Sequence, residues 1–224
     1  GMNDWMIGYI VPVKAAEASY DFIREYEITF IIIFSMLVTV VIFYIIYKNR
    51  QEKSRLLKRA QRDALTGLFN KKTTQDMIDH FLEENGKDRC NALMIMDVDY
   101  FKQVNDTYGH MVGDKVLKIF GRLLAKQFRE KDIVGRIGGD EFMVLICNIK
   151  DMEIAKGRAK KLIDEVRALQ IPELAGSGIT ISVGIAYSPD HGTAFMELYR
   201  HADTALYQVK RGGRDGFSVY EKAN

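Results

Sequence analysis

The chain has 224 residues, enough for one ordinary domain plus an appendage but crowded for two enzymatic domains. Hydrophobic residues at 47% suffice for a buried core, 28% charged residues is ordinary for a globule, and the formal net charge of +2 averages over segments of very different character. No long basic stretch is interleaved with aromatics, so nucleic-acid binding has no support, and Cys90 and Cys147, without CxxC or Cys/His spacing, read as buried free thiols rather than a disulfide or a zinc site.

Residues 1–27 are too few to bury a core alone. WMIGYIVPVK (5–14) predicts a strand closed by Pro12 and followed by a helix. It resembles the last strand and exit helix of extracytoplasmic Cache-type sensor domains. That resemblance implies a sensor upstream and makes Gly1 before Met2 a cloning remnant; a short flank without function fits the same residues equally well. Residues 28–47, ITFIIIFSMLVTVVIFYIIY, lack charge, proline and glycine over about 20 residues, or roughly 30 Å of helix, the depth of a bilayer core. The run is too long and too far from the N-terminus for a signal-peptide core, and no small-residue cleavage site ends it. Seven Lys and Arg residues lie between 48 and 62, against Lys14 and Arg24 before the run, which predicts that everything after Tyr47 is cytoplasmic. Residues 48–62 form a charged helical linker with Leu56, Leu57 and Ala60 on a contact stripe too short for a convincing coiled coil.

The remaining domain, 63–224, alternates helix and strand signals. Strands are predicted at 92–98, 133–137, 142–147 and 179–187, and helices at 71–84, 112–129, 152–169 and 195–210. Gly138-Gly139 between two strands signals a hairpin. The fold class is α/β (α+β): a mixed central sheet flanked by helices, preceded by one transmembrane helix.

Acidic residues stand where strands end. Asp97 and Asp99 close LMIMDVD, and Asp140-Glu141 lies between two apolar strands. If those strands are neighbours, Asp97 and Asp140 share a hard cation that completes its shell with phosphate oxygens and water; any one acid taken singly is an ordinary turn residue. GRIGGDEF at 135–142 resembles the signature of the GGDEF family of diguanylate cyclases. DALTGLFNK (63–71) is similar to that family's opening motif, with Lys71 where arginine is usual. MDVDYFKQVNDTYGHMVGDKVL (96–117) resembles its nucleotide-binding segment and ALYQVKRGGRD (205–215) its closing motif. Four motifs in order cover nearly all of 63–220, and no GxxxxGK[ST] phosphate loop occurs.

The resemblance implies a palm-like nucleotidyl-cyclase fold and a reaction in which two GTP give cyclic di-GMP and two pyrophosphates. Asp97, the Val98 carbonyl, Asp140 and Glu141 would hold two magnesium ions per site, with manganese as an alternative, and Asp97, Asp140 and Glu141 would be the catalytic acids. The general base stays open among Asp140, Glu141 and a metal-bound hydroxide. Asn105 and Asp114 would contact guanine, whose N1–H and exocyclic amine both donate. Lys102, Lys210 and Arg214, with backbone amides near Tyr100 and Phe101, would hold the triphosphate. Gly138 and Gly139 would let the hairpin approach the nucleotide and take positive φ. Arg129 and Asp132 form the RxxD of an inhibitory product site, where the arginine would grip phosphate or guanine and the aspartate would pair with the base edge. If Lys71 stands where an ion pair ties the domain together, lysine weakens that pair without touching catalysis. A twofold product implies a homodimer. The setting implied is a single-pass bacterial inner-membrane protein with a cytoplasmic catalytic domain. A silent nucleotide receptor, or a cyclase with another product, would carry similar motifs.

Overall fold

In the computed structural model, residues 13–85 and 89–222 are described, and the chain divides into two units, 1–57 and 58–224. Helix α1 runs Val13–Ala60, 48 residues with no proline or glycine to interrupt it. Its stretch Ile23–Glu52 has a mean hydropathy of 2.8 in its most apolar part, with none of that part buried, and is long and apolar enough to cross a membrane. Two hydroxyls there bond within the helix: Thr29 and Thr39 each donate to the carbonyl four residues back at 2.8 Å. The strand expected at residues 5–12 lies outside the described residues.

In the second unit the chain leaves α1 through a tight turn. Asn70 Nδ2 donates to the Ala60 carbonyl at 2.6 Å, and the Arg62 guanidinium donates to the Gly67 carbonyl at 2.8 Å while lying over the Phe69 ring. Elements then follow as β1 (Phe69–Asn70), α2 (Lys71–Asn85), β2 (Asn91–Val98), α3 (Phe101–Tyr108), α4 (His110–Gln127), β3 (Ile133–Gly138), β4 (Glu141–Ile146), α5 (Met152–Arg167), a 3-10 turn (Pro172–Leu174), β5 (Ile181–Ser188), α6 (Phe195–Arg211) and β6 (Gly216–Val219). The six-stranded sheet has the order β1-β3-β4-β2-β5-β6; its outer pairs β1–β3 and β5–β6 are parallel and the inner pairs antiparallel. This is the mixed, helix-flanked sheet expected from the alternating pattern.

Alternation along β2 sorts its side chains onto two faces. Ala92, Met94, Met96 and Val98 join the core covered by α4 and α5, where Phe120 meets Phe142 edge-on at 4.8 Å. Leu93 and Ile95 join the core under α2 and α6, with Ile78, Leu198 and Leu206. By the same alternation Asp97 belongs to the α6 face. The predicted strands and long helices are present with ends shifted by up to two residues. Helix α3 and strands β1 and β6 were not predicted. Helix α3 buries none of its residues, and the two short strands are only half-buried, so none carries an apolar periodicity.

Both cysteines are free; Cys147 is buried as expected, whereas Cys90 is half-buried.

Candidate active site

The register of β2 against β4 sets Asp97 opposite Glu141, and the Val98 amide donates to the Asp140 carbonyl at 3.3 Å. The three carboxylates and the Val98 backbone thus come from adjoining ends of two central strands. Asp97 is 8% exposed. Burial pushes its carboxyl above the usual range, and Asp140 and Glu141 push the same way, against the hydrogen bond from Lys210. Lys210 reaches over from the last turn of α6 and sets Nζ 2.7 Å from Asp97 Oδ2. Packed like charges in a low-dielectric position suit a hard divalent ion. Among the described residues no three His, Cys, Asp or Glu side chains converge on one point, so these carboxylates could supply only part of the shell of a hard cation, the rest coming from phosphate and water.

The hairpin tip falls on Gly139-Asp140, one residue later than Gly138-Gly139 suggested. Gly139 has φ +41° and takes the left-handed turn position, but Gly138 is a strand residue in register with Glu141, so positive φ is needed at one signature glycine rather than two. Arg136, in the same motif, clamps the tip: Nε and Nη2 donate to the Gly139 carbonyl at 2.9 and 2.7 Å, while Nη1 donates to both Asp63 oxygens at 3.1 and 3.2 Å. Burial would raise the Asp63 carboxyl, but bonds from the Thr66 hydroxyl and amide and from Arg136 outweigh it and hold it low. Asp63 and Arg136 were not singled out from sequence; their pairing spans 73 residues and has no local signature.

Asp99 differs from Asp97 although only two residues separate them. It is 3% exposed and accepts from Thr180 and Ser182 hydroxyls at 2.7 Å each and from the Asp215 amide at 3.1 Å. Asp99 is therefore a staple joining the end of β2 to β5 and to the turn after α6. That turn holds Arg214 and Asp215 at φ 66° and 52°. Arg214 Cζ lies 4.5 Å over the ring of Tyr100, an exposed residue that is itself left-handed at φ 54°. Phe101 is half-buried against the core, Lys102 is exposed, and the Asn105 side chain lies against Gly113, next to the exposed Asp114. Lys71 is exposed and has no ion pair among the described residues.

Arg129 is exposed, whereas the Asp132 side chain is enclosed and so is not open to pair with a base edge as expected. Asp132 accepts from the Arg129 amide at 3.0 Å, the Cys147 amide at 3.2 Å and Arg158 Nη1 at 3.0 Å. Arg158, on α5, borders a cavity with Arg129, Lys131 and Lys150.

The sequence model for the family described as "Diguanylate cyclase, GGDEF domain" matches residues 60–216. The chain belongs to the GGDEF family. It is 38% identical over 174 residues to the probable diguanylate cyclase DgcT of Escherichia coli (strain K12), covering 74% of this chain and 37% of that protein. It is 35% identical over 175 residues to the cyclic di-GMP phosphodiesterase PdeR of the same strain, covering 78% of this chain and 26% of that protein. The chain thus spans well under half the length of either relative. Among solved structures it resembles the coiled coil and GGDEF domain of DgcB from Caulobacter crescentus in complex with c-di-GMP, with a TM-score of 0.72, 26% identity, and coverage of 78% of this chain and 93% of that one. The GGDEF domain here therefore carries its signature in a clamped hairpin, with the strand-end carboxylates beside it and a lysine from α6 on Asp97.

Proposed function

We propose that this chain is a metal-dependent diguanylate cyclase, anchored in a bacterial inner membrane by 28–47 with the 63–224 domain in the cytoplasm. The reaction joins two GTP into cyclic di-GMP and releases two pyrophosphates. The observation that carries the reading is the placing of Asp97, Asp140 and Glu141 at adjoining strand ends, with Lys210 on Asp97.

Asp97, Asp140, Glu141 and the Val98 carbonyl would hold the divalent ions, magnesium in the first instance. A bound ion supplies charge neutralisation at the triphosphate and stabilises attacking and leaving oxygens. Lys102, Lys210, Arg214 and the amides near Tyr100 and Phe101 receive phosphate oxygens. Asn105 and Asp114 accept the guanine donors, which leaves them unpaired with adenine. Gly138 and Gly139 keep the hairpin tip bare: a Cβ at either would meet nothing within 4 Å, leaving room for the nucleotide. Each domain then presents one 3′-hydroxyl to the α-phosphate on a partner copy, and two such attacks close a twofold-symmetric ring, which requires a homodimer. Arg129 and Asp132 form an inhibitory product site in which Arg158 fixes the Asp132 carboxylate and Arg129 reaches for phosphate or base.

The test is mass-spectrometric identification of the product from the full chain in detergent with GTP and magnesium. Cyclic di-GMP from the wild type and none from Asp140→Ala is expected. In the same assay added cyclic di-GMP should slow the wild type more than Arg129→Ala. No product at high protein concentration would instead point to a nucleotide receptor without turnover.

A further inference from the structure

Lys210 stands where a cation of the reaction belongs. Its Nζ is 2.7 Å from Asp97 Oδ2, and Asp97 is in register with Glu141 and adjoins Asp140. A charge-assisted bond of that length occupies one of the two Asp97 oxygens, and an ammonium and a divalent ion on one carboxylate repel each other strongly. The lysine is placed rigidly at its root and loosely at its tip. Helix α6 packs so closely on β5 that a Cβ at Gly184 would come within 2.0 Å of the Ala202 carbonyl oxygen, yet the Lys210 side chain is 30% exposed and so not enclosed. Its four-carbon stem and compact charge suit such a movement better than a planar guanidinium would.

We propose that Lys210 has two stations: it holds the cation position on Asp97 until nucleotide arrives, then moves to the phosphates, so that the divalent ion enters with GTP rather than ahead of it. The proposal rests on the reading of Asp97 as a metal ligand and of Lys210 as a phosphate contact, and adds an exchange between the two roles. Without nucleotide, the ammonium neutralises part of the charge of Asp97, Asp140 and Glu141 and keeps free metal weakly bound. A triphosphate offers the ammonium more negative charge than one carboxylate and frees Asp97 for the ion. Metal and GTP then strengthen each other by the same factor, as linkage demands. Lys210 acts here as a positioning residue, and the consequence lies in the order of binding as well as in rate.

The experiment measures Mn2+ binding to the full chain in detergent by electron paramagnetic resonance of the free ion, first without nucleotide. Lys210→Met keeps the unbranched stem, one atom shorter, and removes its charge, and is expected to tighten nucleotide-free Mn2+ binding about tenfold, roughly 1.4 kcal/mol. Lys210→Arg keeps the charge and should bind as weakly as wild type. In the pair Asp97→Asn with Lys210→Met the gain should vanish, which places it at Asp97. A non-hydrolysable GTP analogue should tighten Mn2+ binding in the wild type by a larger factor than in Lys210→Met. Equal or weaker nucleotide-free binding by Lys210→Met overturns the exchange while leaving the metal site standing. A wild type that retains no Mn2+ even with the analogue overturns the metal-site reading and the exchange with it.

Discussion

Asp97 and Asp99 lie two residues apart at one strand end and do different work. Asp97 faces α6 and carries the electrostatic load of the site, whereas Asp99 lies past the strand, where two hydroxyls and an amide occupy its oxygens. Removing the Asp99 carboxylate leaves three buried or half-buried donors without an acceptor, each costing about 1–3 kcal/mol. Asp99→Ala is therefore expected to lose at least ~3 kcal/mol of stability in urea unfolding while keeping nucleotide-free Mn2+ affinity near wild type. A variant as stable as wild type would remove the staple role. Asp63 and Arg136 show the same principle: two charged groups of ordinary appearance become a clamp on the hairpin because the fold brings them within 3.1 Å.

At the scale of elements, β6 is short and half-buried, and side-chain rings hold its end. Tyr220 follows it, donates its amide to the Ile185 carbonyl at 2.8 Å, stacks on His201 at 4.0 Å and meets the His191 ring at 5.4 Å. His191 Nδ1 accepts the Tyr187 amide proton, which requires that nitrogen to be unprotonated. Burial holds the His191 imidazole below its ordinary 6.5; Lys222 and His201 add to this and Asp190 opposes it. A histidine whose folded value is lowered contributes stability that is complete above the unfolded value and lost as pH falls through the folded one. Acidification below 6.5 should thus speed amide hydrogen exchange in β6 relative to β2, after correction for intrinsic rates, and His191→Phe should flatten that dependence. Identical pH dependence in both proteins would assign the effect elsewhere. Strand β6 begins two residues after Arg214, so loosening it reaches the left-handed turn that holds Arg214.

At the scale of the whole molecule, the proposed reaction, a twofold product from identical half-sites, would tie turnover to association. Specific activity per chain should rise with protein concentration and saturate, measured as pyrophosphate release over a dilution series. A rate per chain that stays constant down to the lowest concentration, with no dimer by light scattering, would exclude half-sites on separate copies. Within the second unit the path from the end of α1 to the hairpin is short and polar. Asn70 bonds the last residue of α1, and Asp63 three residues later holds Arg136, which holds Gly139.

The sequence by itself determined what is local. Apolar period marked the four long strands and the main helices, uniform apolarity over 28–47 marked a helix long and apolar enough to cross a membrane, and four ordered motifs marked the family and the strand-end acids. Tertiary structure alone decided which acids differ in role, because strand register and helix docking place Lys210 on Asp97 and enclose Asp99. It also decided that Gly139 rather than Gly138 makes the turn, and that Arg158 locks Asp132 across 26 residues. The physical reason is range: propensity and periodicity act within a few residues, whereas hydrogen bonds and charge pairs join whatever the folded chain brings within about 3 Å.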